Sequence, residues 1–164
     1  MSDIQVIDVH KEDILRQVGA LIRRAFATVA DELKLTRSNC PYHPAFLSDE
    51  ALLRDLGRAD AFCFGAYSQK EMIGFTALLP KEPNVMELAK LCVNPTHRHG
   101  GTGLSLLVAA QAYAKKRGAR KLALDMIDEN RRLKEWYLAN GFVPTRTVKY
   151  PHLPFTVCDM EKAL

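Results

Sequence analysis

The stretch Arg98-His99-Gly100-Gly101-Thr102-Gly103 carries the residue types that most clearly prescribe chemistry. It follows a strand-like run and opens a helix-like one, so unpaired N–H groups and the positive helix end face whatever lies in front of it. Glycines let the main chain touch an anion, whereas side chains would hold phosphate oxygens away. A helix macrodipole amounts to only about half a unit charge, so close approach decides affinity. Arg98 can add a charge-assisted contact. The pattern suits a pyrophosphate; the plain alternative is a tight turn without a ligand. Two other phosphate loops fit less well. The P-loop ends in Gly-Lys-Ser/Thr, but Leu104 and Ser105 follow Gly103. The dinucleotide fingerprint, started at Gly101, meets Leu106 where its third glycine belongs, although Asp125 falls roughly where a ribose-binding acid is expected.

Cys40 and His43, in the run Asn39 to Phe46, are two possible metal ligands without a second pair, and His152 stands alone between Pro151 and Pro154. These read as loop residues, and no metal site is expected. Neither an acidic cluster nor an aromatic cage marks a site for a polyamine or quaternary amine.

The elements that position these residues follow from periodicity. Ile4, Val6 and Val9 alternate loosely as a first strand. Glu12 and Asp13 then open a helix whose apolar face runs through Ile14, Leu15, Val18, Leu21, Ile22, Ala25, Phe26 and Val29. Asn39, Pro41 and Pro44 imply an irregular connection before a short helix near Glu50 to Leu56. Ala61–Tyr67 and Met72–Leu79 read as an antiparallel hairpin ended by Pro80 and Pro83. In the next strand, Val85–Val93, simple alternation puts Glu87, Ala89, Leu91 and Val93 on one face. Gly103–Arg117 is a helix with Leu104, Leu107, Val108 and Gln111 on one face, stopped near Gly118. A strand at Lys121–Ile127, a helix at Arg131–Asn140 closed by Gly141, and strands at Thr145–Lys149 and Phe155–Glu161 complete the chain.

A chain of 164 residues, 48% hydrophobic and 26% charged, can bury one substantial core, so residues 1–164 are expected to form one domain. Net charge is +4, from 23 basic and 19 acidic residues without a basic block, which gives no ground for nucleic-acid binding. Four widely separated cysteines suggest reduced thiols and a cytoplasmic protein. No apolar run is long enough to span a membrane.

Two motifs in this order and spacing resemble those of the GNAT superfamily of acetyl-coenzyme A-dependent acetyltransferases. The first is Arg98-x-x-Gly101-x-Gly103, preceded by Glu87-Leu88-Ala89-Lys90-Leu91-Cys92-Val93-Asn94-Pro95. The second is Asn130 followed by Tyr137, Gly141 and Phe142. With Ile73-Gly74-Phe75, the resemblance covers about Ala61 to Phe142. His99, Leu133 and Trp136 depart from it, standing where glycine, alanine and an aliphatic residue are usual.

The resemblance implies an α/β (α+β) fold, a mixed, mostly antiparallel twisted sheet of about six to seven strands flanked by about four helices. It implies acetyl-CoA as cosubstrate, its phosphates on the main chain of Arg98, His99, Gly100, Gly101, Thr102 and Gly103, and its pantetheine arm beside Leu91, Cys92 and Val93 like an added strand. An N–H near Leu91 would stabilise the oxyanion of a tetrahedral intermediate. Glu87 is the candidate base for a primary amine of a small molecule or peptide, and Tyr137 the candidate acid for the departing thiolate. Each has a plain reading too, as a strand-surface glutamate and a core tyrosine. Asn130 would hold the strand-to-helix corner or the cofactor, or simply cap a helix. The acceptor would enter past Asn39 to Phe46, and a homodimer is possible by analogy. The alternatives are a cofactor-binding module without catalysis and a dinucleotide-dependent oxidoreductase.

Overall fold

The computed structural model describes residues 2–164. Strand β1 (Asp3–Ile7) leads into helix α1 (Glu12–Leu33), which starts on two acidic residues and ends where Lys34 turns left-handed and donates its N–H to Ala30 and Asp31. A single 3-10 turn at Pro44–Phe46 interrupts the irregular stretch before α2 (Asp49–Leu56), capped by the Ser48 hydroxyl. Strands β2 (Phe62–Ser68) and β3 (Glu71–Glu82) form the expected hairpin through Gln69 and Lys70, both at positive φ. Then come β4 (Val85–Val93), α3 (Thr102–Lys116), β5 (Lys121–Ile127), α4 (Arg131–Ala139), β6 (Val143–Val148) and β7 (Val157–Ala163).

The seven strands form one sheet in the order β1-β2-β3-β4-β5-β7-β6, antiparallel except between β4 and β5. This is the mixed sheet with four flanking α-helices that was expected. Helices α1 and α2 cover one face, burying Val18, Leu21, Ile22, Leu52 and Leu56 against Cys63, Phe75, Ala77 and Cys92. Helices α3 and α4 cover the other, where Leu106, Leu107, Ala110 and Tyr137 meet Met86, Leu88, Leu122, Leu124 and Met160. A third cluster joins the end of α1, the loop through Cys40 and Phe46, and Leu153 and Phe155 of the β6–β7 connection.

Two readings of the elements need correction. Strand β3 does not end at Pro80 but runs to Glu82. Pairing with β2 stops at Leu78, so the missing proline N–H lies beyond that neighbour, and the β4 register shifts between Pro80 and Glu82. The buried stripe of α3 is Leu106, Leu107, Ala110 and Ala114, while Leu104 and Val108 are 46% and 54% exposed. Small Ala110 and Ala114 let the helix lie close on the sheet, so the deeper stripe contains less bulk than the outer one.

Candidate active site

Strands β4 and β5 pair only at Val85–Lys121, Met86–Leu122 and Glu87–Ala123, and then diverge. Leu88 to Val93 therefore have no strand neighbour on the β5 side. The wedge opens at the carboxyl ends of both strands, the usual ligand position in a parallel pair. Its mouth is where the chain turns from β4 into α3.

That turn carries the expected array of donors. The N–H groups of His99, Gly100, Gly101, Thr102, Gly103 and Leu104 have no hydrogen-bond partner among the described residues, and the first helical bond of α3 is from Ser105 to the Gly101 carbonyl. Gly101 sits at φ 86°. A methyl added there would meet nothing within 4 Å, and one at Gly100 only the His97 carbonyl at 3.7 Å. The space in front of the turn is thus open, and the donor array fits a diphosphate. Gly74 has a different duty: a Cβ there would stand 2.9 Å from Leu106 Cδ1 and 3.0 Å from Thr102 Cγ2. It lets the start of α3 settle on β3, which fixes the donors relative to the wedge. The departures Leu133 and Trp136 flank this corner as partly buried residues, and the Trp136 ring would lie 3.8 Å from a Cβ on Gly103.

The Arg98 side chain does not face the anion site. Its guanidinium donates to the Ala25 carbonyl at 2.9 Å and Thr28 Oγ1 at 3.1 Å, and Nε to the Val93 carbonyl at 3.3 Å. Arg98 thus ties the turn to α1. Asn130 accepts the Leu133 N–H at 3.4 Å, so its side chain is a helix cap.

Strand β4 is not regular. Phe75 pairs with Cys92 and Ala77 with Ala89, so Lys90 and Leu91 together stand opposite Thr76, and Lys90 takes φ 54°. The buried Thr76 hydroxyl donates to the Ala89 carbonyl at 3.1 Å. This bulge overturns simple alternation: Leu91 packs with Met86 and Leu88 in the α3 cluster, while Ala89 and Cys92 belong to the α1 cluster. Glu87, lying between Met86 and Leu88, shares the Ala89 face and not that of Leu91. The carboxylate and the Leu91 side chain therefore stand on opposite sides, and the bulge reverses the face after Ala89. A non-glycine residue held left-handed costs about 1–2 kcal/mol, which marks the bulge as a place the surrounding fold enforces.

Glu87 is half-buried and makes no ion pair or hydrogen bond among the described residues. Burial, and secondarily Asp125, raise its pKa above the ordinary carboxylate value. Asp125 went unread as part of this site. It is exposed on an interior strand, and it adds to the upward pKa shifts of both Glu87 and Tyr137. The signal was present in Leu122, Leu124 and Met126, whose alternation puts Asp125 on the opposite face. Tyr137 is buried, packed edge-on against Trp136 and Phe142 at 5.2 and 5.3 Å, and its hydroxyl has no hydrogen-bond partner among the described residues. Burial first, then Cys92 and Asp125, push its pKa upward, so the phenol keeps its proton.

The loop Asn39–Phe46 packs beside the β6–β7 connection at the end of β5, through Cys40, Ala45, Phe46, Ile127, Leu153 and Phe155. His43 is buried there, while Tyr42 is 85% exposed. Among the described residues no three His, Cys, Asp or Glu side chains are grouped to hold a metal, and no helix is long and apolar enough to cross a membrane.

Known proteins share this fold. The PaiA N-acetyltransferase of Thermoplasma acidophilum, solved in complex with coenzyme A, superposes with a TM-score of 0.82 at 22% identity, over 100% of this chain and 99% of that one. Among curated sequences, the spermidine N(1)-acetyltransferase of Thermoplasma acidophilum is 31% identical over 99 residues, 58% of this chain and 61% of that protein. The amino-acid acetyltransferase of Ectopseudomonas mendocina (strain ymp) is 35% identical over 81 residues, 49% of this chain. The chain spans less than two thirds of these curated relatives, only 18% of the latter. The family model described as the acetyltransferase (GNAT) family matches residues 26–142, from α1 through the donor turn to Phe142. With well over half its length inside that match, this chain belongs to the acetyltransferase (GNAT) family.

Proposed function

We propose that residues 1–164 act as one N-acetyltransferase domain, moving the acetyl group of acetyl-CoA to a primary amine of a small molecule or peptide. The observation that carries this reading is the wedge between β4 and β5, which ends on a row of unpartnered N–H groups. Acetyl-CoA supplies an activated thioester. The main chain of His99 to Gly103, with that of Arg98, binds its diphosphate, and the edge of Leu91, Cys92 and Val93 that lacks a neighbouring strand on the β5 side receives the amide-bearing arm. An N–H at the bulge stabilises the charge that develops on the carbonyl oxygen.

An amine with pKa near 10 arrives protonated, so a base must take a proton before attack. Glu87 suits this: its carboxylate has no partner among the described residues, and its raised pKa makes it a better acceptor than an ordinary carboxylate. Asp125 on β5 adds to that rise. Tyr137 Oη retains a proton to give to the departing sulfur. The 16–31% identities of relatives named for N-acetyltransferase activity, including the spermidine enzyme and the ribosomal-protein-S18-alanine enzyme of Escherichia coli, agree with amine acetylation but divide on the amine.

The test is thiol release from acetyl-CoA across amino acids, polyamines, aminoglycosides and peptides, beside thermal shift with acetyl-CoA and with nicotinamide cofactors. Amine-dependent release supports the reading. Stabilisation by acetyl-CoA without release to any amine would instead identify a binding module, and stabilisation by the nicotinamide cofactor alone an oxidoreductase.

A further inference from the structure

Two side chains, Lys90 on β4 and His43 on the Asn39–Phe46 loop, keep N–H donors that the fold leaves unused among the described residues. Lys90 occupies the bulge at φ 54°, is half-buried, and makes no ion pair or hydrogen bond among the described residues. Glycine would fit that backbone without strain, so lysine is costly there. His43 is 6% exposed, its ring edge-on to Phe26 at 5.9 Å and 6.0 Å from Phe46. Its Nδ1 accepts the Ala45 N–H at 3.3 Å, which leaves the proton on Nε2. Among the described residues that Nε2–H has no partner, yet no fully sealed side-chain nitrogen or oxygen lacks one, so it faces an opening. Burial, and after it the Lys90 ammonium, lower the His43 pKa; the ring is therefore a neutral donor, with the cation close by.

We propose that Lys90 and His43 together receive a carboxylate on the acceptor, so that the substrate is an amino acid or similar amino-carboxylate and not a polyamine. This rests on the acetyltransferase reading above. Glu87 lies three residues earlier on the same strand, about 10 Å back along the backbone at the usual rise, within the span of a flexible lysine and a small zwitterion. The acceptor nitrogen goes to Glu87 and its carboxylate to Lys90, whereas a polycation would meet the ammonium as a like charge. One cation and one neutral donor match a single-charged, two-oxygen group.

The test compares kcat/KM for matched amines with and without a carboxylate: lysine and cadaverine, arginine and agmatine, tyrosine and tyramine. The carboxylated member is expected to be favoured by about tenfold or more, the loss expected for one charge-assisted contact. In Lys90→Met the ratio should fall toward one, and in His43→Gln partway. If His43→Gln melts early, Lys90→Met alone decides. Equal or better rates with the decarboxylated amines, or a ratio unchanged in Lys90→Met, would overturn the carboxylate subsite while leaving acetyl transfer intact. Absence of turnover on every amine, with acetyl-CoA still bound calorimetrically, would overturn both.

Discussion

Gly101 and Gly118 flank α3 and form a natural pair. They sit at φ 86° and 92°, and at neither would an added methyl meet anything within 4 Å. In each, alanine must adopt a left-handed conformation at about 1–2 kcal/mol, with no clash. For a chain of this size about 2–4 °C of melting temperature accompany each kcal/mol, so each variant should melt roughly 2–8 °C below the parent. The two differ in what lies outside. Gly101 stands in the donor turn, and Gly118 lies about 25 Å away along the helix at the usual rise per residue. A methyl on Gly101 projects into the space assigned to the diphosphate, and losing one charge-assisted bond of about 1.5–3 kcal/mol weakens binding roughly 10- to 150-fold. Isothermal calorimetry with acetyl-CoA on parent, Gly101→Ala and Gly118→Ala measures this directly. The expectation is similar melting losses, with affinity lost in Gly101→Ala alone. Equal affinities in both variants would refute the placement of the diphosphate.

Glu87→Gln should lower amine acetylation by about 10²- to 10⁴-fold. Because the folded carboxyl titrates above its ordinary value of 4.5, its protonated form favours folding at low pH, and that contribution is lost as pH rises through the folded value. Glu87→Gln should therefore melt higher than the parent at neutral pH, an advantage that fades below pH 4.5 in a scanning-fluorimetry series. Tyr137→Phe removes a hydroxyl that bonds nothing among the described residues, so melting temperature and acetyl-CoA affinity should hold while kcat drops by roughly 10²-fold or more. Arg98→Met breaks bonds to Ala25, Thr28 and Val93 and should cost about 1–3 kcal/mol of stability, read in urea unfolding. Its calorimetric loss of acetyl-CoA affinity should be smaller than that of Gly101→Ala.

The elements around the cofactor were legible because local chemistry dictates them: Val85–Val93 and Lys121–Ile127 begin and end where alternation and turn residues say. The donor turn was legible for the same reason, since glycine at a strand-to-helix corner has few purposes. Side-chain direction was harder. Nothing local announces that Lys90 will turn left-handed, so the faces of Glu87 and Leu91 could not be assigned by counting. Arg98 misled because its type suits a phosphate, whereas its partners are the nearby Val93 carbonyl and a carbonyl and a hydroxyl some seventy residues away in the chain. The insertion of β7 between β5 and β6, which puts Leu153 and Phe155 beside Cys40 and Phe46, is a long-range choice of pairing that no window of residues contains.

Cys40, Cys63, Cys92 and Cys158 are all buried, and burial raises each thiol, Cys63 and Cys92 to about 12. Only thiolates react readily with oxidants and disulfide reagents, so these four stay inert near neutral pH. If the proposed acetyl transfer releases a free thiol, these cysteines neither capture it as a mixed disulfide nor add a background of their own when a chromogenic disulfide counts turnovers.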